Sequence, residues 1–306
     1  MGSMSVESPG PAGSQAEHRV ETPDGRVLQV LERGIPDGRP VLVHGGSPNS
    51  RLLFDPLVEV AERQGIRLIS YDRPGFGGSS RQSGRTVADC AADVRAIAAA
   101  LGIDRLAVWG VSGGGPHAIA CAALLADLVP AVGVIASLAP WGAEGLDYFG
   151  GMGEMNVEDF KLYLEDPVAA HAKAERDRLE LLTLGPDELF EFMKTLLSPV
   201  DAAVLTGAFA EFMVDMNRSG LAPGADGWWE DGLAFVKPWG FELQSIKTPV
   251  LLRHGRQDRF VPFAHGEWLA HHIPGVQAEL TDDDGHLTQY LRHIEHVHEW
   301  LLERLD

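Results

Sequence analysis

Leu106-Ala107-Val108-Trp109-Gly110-Val111-Ser112-Gly113-Gly114-Gly115-Pro116-His117 is the stretch from which the fold of this 306-residue chain can be read. An apolar run of strand length meets a serine flanked by glycines, and the alanine-rich 118–126 continues as a helix. Gly110-x-Ser112-x-Gly114 between a strand and a helix is the pattern of a nucleophile elbow. So tight a turn strains the serine backbone, and the small flanking residues let strand and helix approach. It would lift the Ser112 hydroxyl clear of a sheet and aim the first helical N–H groups at whatever the serine attacks. The same residues also suit a glycine-rich turn whose serine only caps the helix, so the rest of the chain has to decide.

Outward from this stretch, 19–22 and 26–33 read as a hairpin about Pro23-Asp24-Gly25. Short buried strands follow at 40–44, 67–71 and 131–136, with helices at about 52–64 and 87–101, the second capped by Thr86 and ended by Gly102. Beyond Pro140 the pattern changes. Asn156 reads as a helix cap, and Pro167, Pro186 and Pro199 each stand at a first helical position. At least four helices therefore fill 156–233 with no strand between them. Alternation resumes with a strand at 249–254, a helix at 262–272, a strand at 276–281 and a helix at 288–304. Strands that are continuously apolar and alternate with helices predict an α/β fold: a mostly parallel sheet covered on both faces by helices, with an inserted all-helical cap. The implied division is a disordered tail over 1–17, a core over 18–139 and 241–306, and a cap over 140–240.

The formal net charge of −19 argues against nucleic acid or an anionic membrane as partner, because both reward basic patches. Cys90 and Cys121, the two cysteines, lie in alanine-rich helical patterns and suit buried thiols in a reducing compartment. No apolar run reaches membrane-spanning length, and the start has neither the basic nor the apolar region of a signal peptide. A cytoplasmic location is expected.

A serine nucleophile needs a base, and the base needs an orienting acid. In open α/β sheets such groups lie just past the carboxyl ends of strands. Asp258 follows the strand at 250–254, and His286 follows the strand at 276–281. The chain order Ser112, Asp258, His286 fits a strand-borne triad. Together these residues resemble the α/β-hydrolase superfamily, in its Ser/Asp/His branch with a helical cap, and the likeness runs from about His18 to Leu305. His44-Gly45-Gly46 is similar to the family's oxyanion motif and Asp72-Arg73-Pro74-Gly75-Phe76-Gly77-Gly78-Ser79 to its arginine-proline-glycine turn. Gly110 to Gly114 resembles the elbow, 255–262 the acid loop, and Gly285-His286 the base. The resemblance implies an oxyanion hole from the N–H groups of Gly113 and Gly46. Ser47 stands where many relatives place proline, so Ser47 is an alternative second donor. It also implies acyl transfer through an acyl-enzyme on a small-molecule acyl substrate, with no cofactor.

Other readings compete at individual residues. Asp284 is an alternative acid, but it is close in sequence to His286. Asp282 to Asp284 lacks the ligand spacing of a calcium loop. His293 and His296 share a helix face and would suit either zinc or a polar surface. His44 reads as a structural residue bonded within its own loop, while His117 and Cys121 pack under the sheet. Met152, Met155, Met193, Met213 and Met216, with Trp228 and Trp229, read as cap core or as an adaptable pocket wall. Trp141, Met152 and Met213 are the expected substrate contacts. Three functions follow: hydrolysis of an apolar ester or lactone; a proline iminopeptidase-like activity in which Glu154, Glu158 or Asp159 binds a free amine; or a small-molecule receptor or lyase on the same scaffold.

Overall fold

The computed structural model describes residues 15–305; most of the segment read as a tail, residues 1–14, lies outside them. The chain forms strands β1 (Ala16–Glu21), β2 (Val27–Gly34), β3 (Arg39–His44), β4 (Ile66–Tyr71), β5 (Ala107–Val111), β6 (Val132–Ile135), β7 (Val250–Gly255) and β8 (Gln277–Thr281). They make one sheet in the order β1-β2-β4-β3-β5-β6-β7-β8. β1 and β2 pair antiparallel, as does β2 with β4, and the other pairs are parallel, with His44 opposite Gly110 and Val134 opposite Leu252. The first strand begins at Ala16, inside the segment expected to be a tail.

The β5 residues show why both faces are covered. Val108 points into a core layer shared with α2 (Cys90–Ala100) and α3 (Gly114–Leu124), while Trp109 points into a layer with α1 (Asp55–Arg63) and α11 (His286–Leu305). Helix α11 turns Ile294, Val297, Leu301 and Leu305 to the sheet at helical spacing, each worth about 1.5–3 kcal/mol when fully buried. Helix α10 (Phe263–His272) packs on β7 and β8. Two starts differ from expectation. Helix α1 begins at Asp55 because Pro56 belongs in a first turn, so Leu52 lies outside it. Helix α11 begins at His286 itself.

Six helices are inserted between β6 and β7: α4 (Glu154–Glu165), α5 (Pro167–Leu181), α6 (Pro186–Met193), α7 (Pro199–Ala202), α8 (Gly207–Leu221) and α9 (Asp226–Phe235). The prolines start α5, α6 and α7 as their positions require. Asn156 does not cap α4. It lies within the first turn, and its amide donates to the Phe260 carbonyl at 3.0 Å. Three fully buried carboxylates tie the cap to the sheet domain: Asp201 on α7, and Glu230 and Asp231 on α9. Among the described residues no helix is long and apolar enough to cross a membrane.

Candidate active site

The elbow forms because glycine stands wherever a side chain would collide. A Cβ on Gly110 would lie 2.2 Å from the Gly114 carbonyl oxygen, and one on Gly114 would lie 2.0 Å from that of His44. Ser112 takes the left-handed φ of 55° that few non-glycine residues adopt. Its N–H donates to the Ile135 carbonyl and its own carbonyl accepts from Gly115, each at 2.9 Å. The side chain is thereby left at the carboxyl edge of the sheet.

Asp258 and His286 come to the same edge from the ends of β7 and β8. His286 Nδ1 lies 2.7 Å from one Asp258 oxygen. The other oxygen accepts the N–H groups of Phe260 and Val261, at 2.8 and 2.9 Å. Burial alone would raise the Asp258 carboxyl, but His286 and His254 beside it hold it at about 2. Burial likewise pulls His286 down, and the Asp258 carboxylate, with Asp201 behind it, lifts it above its ordinary value. The Phe260 ring stacks on the imidazole, centroids 4.4 Å apart. Ser112 and His286 line one cavity of about 180 Å³ beneath the cap. Among the described residues no hydrogen bond joins them.

Asp201, which the sequence did not single out, holds His286 from the cap side. Its carboxylate accepts the N–H groups of His286 and Leu287, both at 2.8 Å, and of Thr288 at 3.1 Å. These are first-turn donors of α11 that have no partner within the helix. A Cβ on Gly285 would stand 2.2 Å from Asp201, so glycine is needed for the approach.

The loop after β3 is held in a similar way. Arg73 donates to the carbonyl oxygens of Gly45 and Gly46, the latter at 2.7 Å. In a trans peptide the N–H points opposite to the C=O, so the N–H groups of Gly46 and Ser47 are turned away from Arg73. Among the described residues neither meets a protein acceptor. Gly113 adjoins this loop: a Cβ there would lie 3.0 Å from the Ser47 Cβ. Asp231 secures the arrangement, pairing with Arg73 and Arg85 at 2.6 Å each and accepting the Ser47 hydroxyl at 2.7 Å. Burial would raise its carboxyl, yet the two guanidinium groups drive it far below the usual range.

The other singled-out residues are placed as follows. Met213 lines the cavity, with Met155, Met193 and Met216. Trp141 and Met152 do not. Trp141 is 37% exposed and packs edge-on against Tyr148, and Met152 is buried in the core. Asp284 faces Arg292 and His293 rather than His286. His293 and His296 bind different carboxylates, Asp284 and Glu279, and so form no zinc pair. His44 is structural, although its contacts are Tyr71 and Cys121 and not its own loop. His44, Cys90 and Cys121 are the described His/Cys group compact enough for a metal. Burial pushes the His44 imidazole down and the Cys90 thiol up, which favours their uncharged forms.

A mostly parallel sheet with a strained serine at its carboxyl edge, a carboxylate-bound imidazole beside it and a helical cap above defines a capped α/β protein of hydrolase architecture. Residues 39–292 match the family model described as alpha/beta hydrolase fold, and the chain belongs to that family. It is 27% identical over 274 residues to the AB hydrolase superfamily protein YisY of Bacillus subtilis, covering 88% of this chain and 92% of the relative. It is also 27% identical over 281 residues to a 2-hydroxy-6-oxononadienedioate/2-hydroxy-6-oxononatrienedioate hydrolase of Klebsiella pneumoniae, covering 87% of each chain. Among solved structures, a thermophilic esterase from Thermogutta terrifontis superposes with a TM-score of 0.68 at 22% identity, covering 95% of this chain and all of the other.

Proposed function

We propose that the protein is a serine hydrolase of small or medium, neutral and largely apolar carboxylic esters or lactones. The observation that carries this reading is the convergence of Ser112 and His286 on one cavity, with His286 bonded to Asp258 at 2.7 Å. In this reading His286 Nε2 takes the Ser112 proton as the hydroxyl attacks the substrate carbonyl. Asp258 fixes the tautomer and stabilises the imidazolium. The N–H of Gly113, with those of Gly46 and Ser47, receives the developing oxyanion, at about 3–4 kcal/mol per donor. Protonated His286 gives its proton to the departing alkoxide, and the neutral imidazole then takes a proton from the water that attacks the acyl-enzyme and returns it to Ser112 as the acid leaves.

The wall favours a neutral substrate. Asp159 is the carboxylate on it, and Lys173 pairs with that group at 2.7 Å. No lysine or arginine lines the cavity among the described residues, whereas the Klebsiella relative is named for a dioate. An aminopeptidase reading loses support on the same ground, because Glu154 and Glu158 are exposed and Asp159 is already paired.

The test is a panel of p-nitrophenyl esters, with proline p-nitroanilide alongside, on wild type and Ser112→Ala, plus labelling by a fluorophosphonate. Ester turnover and labelling at Ser112, both lost in the variant, are expected. Turnover of the anilide alone, or binding without turnover, would replace this reading with the peptidase or the receptor.

A further inference from the structure

Helix α8 presents Phe209, Phe212, Met213 and Met216 to the cavity, and one polar residue, Asn217, stands in the same wall. Asn217 is 5% exposed, and among the described residues its carboxamide has no hydrogen-bond partner. Its carboxamide is open to the cavity, so its partner is whatever fills that space, and a substrate that displaces water there must replace its hydrogen bonds or leave the amide unpaired. Three residues on, Gly220 seats this part of α8 against the loop after β3. A Cβ there would lie 2.8 Å from the Pro48 carbonyl oxygen and 2.9 Å from the Ser50 nitrogen, so glycine lets α8 rest directly on the loop after β3. One helical turn separates Asn217 from this contact.

Asn49 sits on that loop and also lines the cavity, and its side-chain amide is likewise unpaired among the described residues. Its amide nitrogen lies 3.2 Å from the point where a Gly46 Cβ would be, and the Ser112 Cβ lies 3.4 Å from the same point. Two unpaired carboxamides therefore stand on the oxyanion-loop side of Ser112, in a cavity otherwise walled largely by Met, Phe and Leu.

We propose that Asn49 and Asn217 form a polar subsite that hydrogen-bonds a neutral oxygen function on the acyl part of the substrate, close to the scissile carbonyl. The substrate class is thus an apolar ester carrying a hydroxyl or keto group near its carbonyl, in place of a plain alkanoate. A carboxamide both donates and accepts, so it suits these groups. A carboxylate would bring a charge into a wall with no lysine or arginine among the described residues to balance it. The inference rests on the ester-hydrolase reading above.

The experiment compares p-nitrophenyl 3-hydroxyhexanoate with p-nitrophenyl hexanoate, in wild type, Asn217→Leu and Asn49→Ala. Wild type should favour the hydroxy ester by about tenfold or more in kcat/KM, as expected when a buried polar group goes unpaired in the complex with the plain ester. That ratio should fall to about twofold or less in each variant. Calorimetry on Ser112→Ala with 3-hydroxyhexanamide and hexanamide reads the same preference as binding, without altering either asparagine. A wild-type ratio near one in both measurements, or a ratio unchanged in both variants, would overturn the subsite. If ester turnover persists in Ser112→Ala, the hydrolase reading itself has failed; if turnover is lost there but the ratio stays near one, only the subsite has.

Discussion

The Asp201 carboxylate accepts the backbone N–H of His286 at 2.8 Å, so a residue of the cap closes the first turn of the helix that carries the proposed base. The pairing spans 85 positions of sequence, and it supplies the cap that α11 does not obtain from its own preceding residues. Asp201→Ala should leave three backbone donors without their acceptor and cost about 2–4 kcal/mol of stability. It should also lower kcat by about 100-fold through misplacement of the imidazole. Chemical denaturation and steady-state kinetics on the same preparation check both. Asp201→Asn keeps one acceptor oxygen but loses the charge, and should move the acid limb of kcat/KM to lower pH.

That shift has a defined sign in the native enzyme. In the proposed mechanism the base must be neutral to accept the Ser112 proton, and His286 is raised above its ordinary value of 6.5. kcat/KM should therefore fall as pH drops through a midpoint above 6.5. Asp258→Asn removes the main cause of the raised value, so the midpoint should move down, with kcat reduced about 10⁴-fold. A pH–rate profile between pH 5 and 9 measures both, and a wild-type midpoint below 6 would contradict the Asp258–His286 pairing.

Asp231→Ala should leave Arg73 and Arg85 buried without their shared counter-ion. Removing one partner of a buried pair typically costs about 3–5 kcal/mol. Because Arg73 also anchors the Gly45 and Gly46 carbonyls, the surviving folded enzyme should lose kcat more than KM rises. Urea unfolding monitored by tryptophan fluorescence gives the first quantity, and initial-rate kinetics the second.

Gly114→Ala should not yield soluble protein at 25 °C, because its methyl group would stand 2.0 Å from the backbone oxygen of His44. His44 is held by its pairing with Gly110 on β5, and Gly114 opens α3 directly after the hydrogen-bonded Ser112 turn. Soluble expression and a melting curve decide the matter. A stable variant would mean that the strand-to-helix turn is looser than the Ser112 φ of 55° implies.

The strand ends were legible because each carries its own local chemistry. Glycines crowd the Ser112 turn, and Asp258 and His286 each follow an apolar strand within a few residues. The cap helices could be placed from their prolines, since a missing N–H is tolerated only in a first turn. What the cap does at the site was not legible. Ser198 and Asp201 look like a local cap for α7, and only the folded chain shows that Asp201 also serves α11. Asp231 and Asn217 lie in helices whose inward face is fixed by packing on loops far away in sequence. Trp141 was named as a substrate contact, yet 136–153 has no period from which its direction could be inferred.

The anchoring of α7 and α9 bears on which substrates the site admits. Glu230 accepts from Arg81 and from the Gly84 N–H, Asp231 is held between two guanidinium groups, and Asp201 is bonded to three backbone amides. Swinging the roof open as a rigid flap would break all three attachments at once, at a cost comparable with the whole stability of a typical domain. With the roof fixed, the shape a substrate must fit is set by the pliable thioethers of the wall. Relaxing selectivity toward bulky reactants would then mean trimming that wall while leaving the anchors of the roof in place.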